Sequence, residues 1–223
     1  MRQRIPTVAI VYRRAGRLGF KWDDLLPALQ EYVDRHLAPV WQCPARLIAT
    51  KRPPRSAWQL ELLPTSDDAA ADGYHDRTAA GLPYSRSFIE TSRADGTLPT
   101  EVISHELAEM LADPSASECV WHEKRNLFFA KEICDPVQGT PFDVAGLAMA
   151  NFVHPRWFGL ACPPPPPRSR LLFVDQLGEC SRPFQILRTG YMPVFQRGRW
   201  TSIFGSRHLG KPSLRAARRM GAR

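Results

Sequence analysis

His105, Glu106 and Glu109 are the residues whose types and spacing could do chemistry; they lie in the stretch SHELAEMLADP, 104–114. A helix brings positions four apart onto one stripe. His105, Glu109 and Asp113 then project from successive turns, while Ile103, Leu107, Met110 and Leu111 turn toward a core. An imidazole and a carboxylate at that spacing can hold one divalent ion, and a glutamate directly after the imidazole is placed to take a proton from a water that the ion polarises. Donors on one straight helix cannot surround an ion, so further ligands must come from elsewhere. Glu132 and Asp135, in KEICDP (131–136), are the downstream candidates. Glu106, Glu109 and Asp113 also crowd negative charge toward the helix end where the macrodipole disfavours it, an arrangement that a cation relieves. The alternative for Glu109 and Asp113 is a solvated helix face that closes in an Asp-Pro turn. Zinc is the first choice of metal, but one imidazole among several carboxylates makes the donor set harder than a two-histidine one, so manganese or calcium competes with it.

The remaining histidines and the nearest cysteine carry less. His75, in GYHD, reads as a turn histidine capped by Asp72 or Asp76, ahead of its other reading as an extra ligand or oxyanion donor at the edge of the site. His122 and His154 have no comparable partners and read as surface or satisfied structural residues. Cys134, between Glu132 and Asp135, is expected to point into the core and has no basic partner that would make it a nucleophile.

The helix sequence resembles the active-site helix of zincin-like metallopeptidases. The wider set GYHD, SHELAEMLADP, KEICDP, NFVHPRWF (151–158) and PFQILRTGYM (183–192) resembles a largely uncharacterised, metallopeptidase-like family of tailed bacteriophages, prophages and bacteria, over residues 7–204. The resemblance implies a zincin-like α+β core with a mixed sheet and an active-site helix. In it His105 and Glu109 are ligands, Glu106 is the catalytic base, and Glu132 and Asp135 complete or buttress the site, with Asp113 a further ligand candidate. The sequence departs from the zincin pattern in having Glu109 where a second histidine stands, and Ser115 where a third ligand is expected. Two functions follow: a metal-dependent hydrolase acting on peptide or protein, or a non-catalytic virion structural or assembly protein that contacts other phage proteins. The implied setting is the cytoplasm of a bacterial host, or the virion.

The elements that must position these residues can be read from the pattern. TVAIVY (7–12) is apolar and β-branched and reads as a buried strand. Asp23 and Asp24 open a helical pattern with Leu26, Leu29, Val33 and Leu37 on its stripe, Pro27 falling in the first turn. ARLIAT (45–50) and AWQLELLP (57–64) read as strands, 65–81 as a polar loop, and PYSRSFIET (83–91) as extended. The motif helix should start near Thr100 as its cap and stop at about Asp113 because of Pro114. Pro163 to Pro167 is too stiff and donor-poor for helix or sheet. Beyond it LLFVDQL, PFQIL, YMPVFQ and RWTSIF read as a small β meander. The organisation is then a zincin-like α+β domain (1–161), a proline-rich spacer (162–170), a β-meander extension (171–204) and a flexible basic tail (205–223). Strands and helices without strict alternation favour α+β over a doubly wound sheet.

Composition narrows the class. With 223 residues and 43% hydrophobic content the chain can bury one sizeable core. Its net charge of +8 is uneven: residues 205–223 hold six basic residues and no acidic one, which leaves +2 for the body. The tail is the route by which nucleic acid could be a partner, although it lacks interleaved aromatics. Five widely spaced cysteines without a C-x-x-C pair argue against a disulfide framework or zinc finger. No apolar run is long enough for a membrane span, so no membrane partner is expected.

Overall fold

The computed structural model describes residues 5–12, 18–67, 71–162 and 174–207. The proline run with the rest of the spacer, the start of LLFVDQL and the tail beyond Arg207 lie outside the described residues. The architecture is α+β, with a mixed sheet.

Strand β1 (Thr7–Tyr12) is covered on both faces, which is why its sequence is apolar without alternation. Val8 and Ile10 enter the main core, whereas Ala9 and Val11 pack with Ala57 on the other side. The following helix α1 (Trp22–Glu31) buries Leu25, Ala28 and Leu29. Because it starts at Trp22, Pro27 falls beyond the first turn and deprives the Asp23 carbonyl of its helical donor. The helix then widens into a π-helical stretch, Tyr32–Leu37, before the last turn α2 (Ala38–Trp41). Pro39 supplies a cause, since its ring cannot donate and crowds the carbonyl four residues before it. Gln42, at φ 55°, ends the helix in the left-handed region.

β1 pairs in parallel with β2 (Arg46–Ala49) and with β3 (Trp58–Leu63). Next comes β4 (Gly73–Arg77), a strand where the sequence reads as a polar loop. It runs antiparallel to β5 (Pro83–Phe88), which is itself parallel to β3. The five strands lie in the order β2-β1-β3-β5-β4, so the antiparallel β4 forms an edge. Helix α3 (Ile89–Ala94) turns the chain away from the sheet and leads into α4 (Pro99–Ala112), the motif helix. Its first residue is Pro99, one before the expected cap; a fixed φ and no N–H to leave unbonded suit proline to that position.

α4 is not the half-solvated amphipathic helix that its sequence suggests. It packs on β3, β4 and β5 on one side and on β9 on the other, and every residue but His105 is buried. Its polar groups are therefore accounted for individually. The Ser104 hydroxyl donates to the Thr100 carbonyl at 2.8 Å and accepts from the Ala150 amide at 2.8 Å, while Glu101 Oε1 accepts from the Gly139 amide at 3.0 Å.

A second sheet follows. β6 (Cys119–His122) and β7 (Leu127–Ala130) form a hairpin, and a smaller hairpin joins β8 (Phe142–Val144) to β9 (Leu147–Met149). YMPVFQ and RWTSIF become β10 (Tyr191–Gln196) and β11 (Arg199–Phe204), whereas PFQIL forms no strand. β10 pairs with β7 as well as β11, giving the order β11-β10-β7-β6; the late strands thus share a sheet with the segment that follows the motif helix. Phe129, Trp157 and Phe184 pack ring on ring between this sheet and the 3-10 turn Pro155–Phe158. Among the described residues no helix is long and apolar enough to cross a membrane.

Candidate metal centre

Three chain segments meet beside the middle of α4. The helix contributes His105, Glu106 and Glu109, the loop after β7 contributes Glu132 and Asp135, and the edge strand β4 contributes His75. His105 Nε2 lies 3.2 Å from Glu109 Oε2 and 3.3 Å from Asp135 Oδ1. These atoms are close enough to share one ion, since four ligands placed tetrahedrally around zinc at about 2.0–2.1 Å are about 3.3 Å apart. His75 Nδ1 lies 3.8 Å from both Glu109 Oε2 and Glu132 Oε2, and 4.0 Å from Glu106 Oε2. Two donor triads result, His105/Glu109/Asp135 and His75/Glu109/Glu132, which share Glu109. The cavity that these side chains line measures about 30 Å³, the size of a water molecule or an ion.

Local structure explains each placement. Glu109 is oriented by the Cys134 amide, which donates to Oε1 at 3.0 Å and leaves Oε2 facing the histidines. Asp135 starts a short 3-10 turn, Asp135–Val137, and the Tyr191 hydroxyl from β10 bonds its carboxylate. β10 reaches Asp135 because Gly190 has no side chain: a Cβ there would stand 2.7 Å from the Asp135 carbonyl oxygen. In β4 the strand alternation turns His75 inward and Tyr74 the other way, toward Asp67 and Arg86. Gly73, on the His75 face, makes room for the base: a Cβ at this position would lie 2.7 Å from Glu106 Cγ and Oε1.

The acids and the imidazole of this cluster shift one another's protonation strongly. Burial alone pushes the His105 imidazole down, yet Glu109 and Asp135 outweigh it and hold its pKa well above the ordinary value. Against its own burial, Glu109 is pulled down to about 2, chiefly by His105. Asp135 goes the other way, up to about 6, through burial and the neighbouring Glu109 charge. A proton on His105 thus favours the ionised form of the buried Glu109. Burial, then Asp135, Glu109 and Glu132, keep the Tyr191 hydroxyl protonated far above its usual range. Cys134 is fully buried with its thiol pushed well up by burial, so it is neutral and no nucleophile.

Two expectations change. His75 is not a capped turn histidine; it is 2% exposed on a strand and stands among three acids of the site. Asp113 stands outside both donor triads. The helix ends at Ala112, so Asp113, at φ −127° and ψ 76°, leaves the stripe of His105 and Glu109. Its carboxylate instead accepts from the Ser115 amide and hydroxyl at 3.1 and 2.7 Å and from the amides of Ser117 and Glu118, both at 2.8 Å. Asp113→Ala should therefore leave metal content unchanged and lower unfolding free energy by about 2 kcal/mol, read in urea titrations with and without metal. His122 and His154 stand apart from the cluster: His122 accepts from the Arg125 amide and packs on Phe184, and His154 lies buried against Phe152. Tyr191 is the residue that the sequence does not single out; only the glycine before it hints at a close approach.

No protein-family model, no curated protein and no solved structure matches the chain.

Proposed function

We propose that this protein is a zincin-like metal-dependent hydrolase acting on peptide bonds, with His105, Glu109 and Asp135 as the principal ligands and His75 and Glu132 on the opposite wall. The observation that supports this reading most is the convergence of buried acids and imidazoles from α4, β4 and the post-β7 loop on an ion-sized space. Burying several carboxylates is costly unless a cation balances them. The second imidazole, His75, softens the donor set relative to the one-histidine reading and favours zinc over calcium.

A bound divalent ion supplies Lewis-acid polarisation of water and of the scissile carbonyl. The chain supplies the rest. Glu106, with its carboxylate at the cavity wall, accepts the proton of the attacking water and can pass it to the leaving amine. Glu109 and Asp135 are held by the Cys134 amide and the Tyr191 hydroxyl, which spares the site reorganisation during turnover.

Metal titration of chelator-stripped protein followed by calorimetry tests the reading through pH. Ligation needs Asp135 ionised and His105 without its proton, and both hold protons more firmly than usual. Affinity for zinc should therefore rise steeply as pH increases through about 6 and continue to rise above it, with protons released on binding. Affinity that is flat from pH 5 to 8, or no binding of zinc, manganese or calcium, would count against the site.

A further inference from the structure

The second sheet has two apolar faces, and the core uses one. Leu127, Phe129, Met192 and Val194 are buried on the inner face. On the outer face the register sets Trp121 opposite Phe128, Phe128 opposite Phe195, and Phe195 opposite Trp200. An aromatic row thus crosses all four strands, about 14 Å at the usual strand spacing. Trp121 is 47% exposed and Phe128 39%. Trp121 and Phe128 have ring centroids 4.8 Å apart, Phe195 and Trp200 5.4 Å, and the latter two are half-buried. Cross-strand pairs stabilise a sheet, but two such pairs side by side, with Trp121 and Phe128 this exposed, exceed what stability asks of strands whose other face is already in the core.

Charge indicates the partner. The β6–β7 and β10–β11 turns lie at the same end of the sheet, since β7 and β10 are antiparallel neighbours. Lys124 and Arg197 are exposed in these turns, with Glu123 as the acidic residue beside them, whereas Arg199, one residue before Trp200 in β11, belongs to the other face. Arg125 is also at this end, but its guanidinium lies over Phe129. Planar rings next to a cationic rim match the two halves of a nucleotide, the base and the phosphate. An apolar peptide or a sugar would use the rings and leave the cations without purpose.

We propose that the outer face of the β11-β10-β7-β6 sheet binds single-stranded nucleic acid. Trp121, Phe128, Phe195 and Trp200 stack on bases, and Lys124 and Arg197 in the adjoining turns contact the backbone phosphates. A platform of this kind takes about two or three bases. The proposal is independent of the metal centre and of the basic residues beyond Arg207.

Fluorescence anisotropy with a labelled oligothymidylate and the full-length protein tests it. Trp121→Ala combined with Phe128→Ala should weaken binding about tenfold or more, with the circular dichroism spectrum unchanged and the melting temperature lowered by only a few degrees, as loss of one cross-strand pair requires. Lys124→Ala and Arg197→Ala together should make the slope of log affinity against log salt shallower by about 1.4. If the aromatic pair can be removed without loss of affinity, the tail alone carries binding and the proposal is overturned. It is equally overturned if the protein takes up an apolar peptide or an oligosaccharide on this face and no oligothymidylate.

Discussion

Glu106→Gln is expected to lower peptide hydrolysis by about 10³-fold while leaving bound metal at the wild-type level. Glutamine fills the same space beside Gly73, so the packing of β4 on α4 is preserved. What it loses is the ability to accept a proton, and a positioned base contributes about 10²–10⁴ in rate. Because Glu106 belongs to neither donor triad, metal content should not follow activity down. The comparison is of kcat on an unstructured protein substrate, alongside metal analysis of the same preparation. Loss of metal together with activity would make Glu106 a ligand and remove the base from this account. Equal hydrolysis by both proteins would mean that the cluster is not where the chemistry happens.

Glu109→Gln is expected to have the larger effect on binding, since both donor triads use Glu109. Metal affinity should fall by at least about a hundredfold, the scale already seen when a mere supporting partner of a ligand is lost. The same substitution affects the metal-free protein. Glu109 has its pKa lowered from 4.5 to about 2 on folding, so ionisation of this group stabilises the folded state fully above about 4.5, and that stabilisation is lost as pH falls toward 2. Near neutral pH the substitution should therefore cost about 3 kcal/mol, and the gap between variant and wild type should close between pH 4.5 and 2. Urea unfolding of metal-free protein at several pH values measures this directly. A variant as stable as wild type at pH 7 would mean that His105 and Glu109 do not form the buried pair.

How much of this centre could be read from the sequence depends on how locally each residue is specified. His105, Glu106 and Glu109 share one helix, and the i, i+4 rule fixes their relation before any tertiary structure is known. Glu132 and Asp135 could be named as candidates because an isolated acidic pair followed an apolar strand, although nothing in their spacing showed that they would converge on α4. His75 was illegible for a different reason. GYHDR is flanked by Asp72 and a run of polar and small residues, and an edge strand needs few apolar residues to hold its place beside β5. Its inward orientation follows from register with Ser85, which only the pairing reveals. Asp113 was misleading because a stripe drawn on an ideal helix continues past the point where the real helix stops. One residue of non-helical backbone moved its carboxylate from the stripe to four donors in the 115–118 turn. The late strands were legible as strands but not as neighbours, since β10 finds β7 across more than sixty intervening residues.

The central claim is that the acids and imidazoles around α4 hold a divalent ion. It is tested most directly by elemental analysis of protein purified without chelator, before and after dialysis against one. About one equivalent of zinc or manganese per chain is expected, lost on dialysis and regained on adding the ion back. Protein that emerges metal-free from a mild preparation, and takes up no zinc, manganese or calcium afterwards, would contradict it.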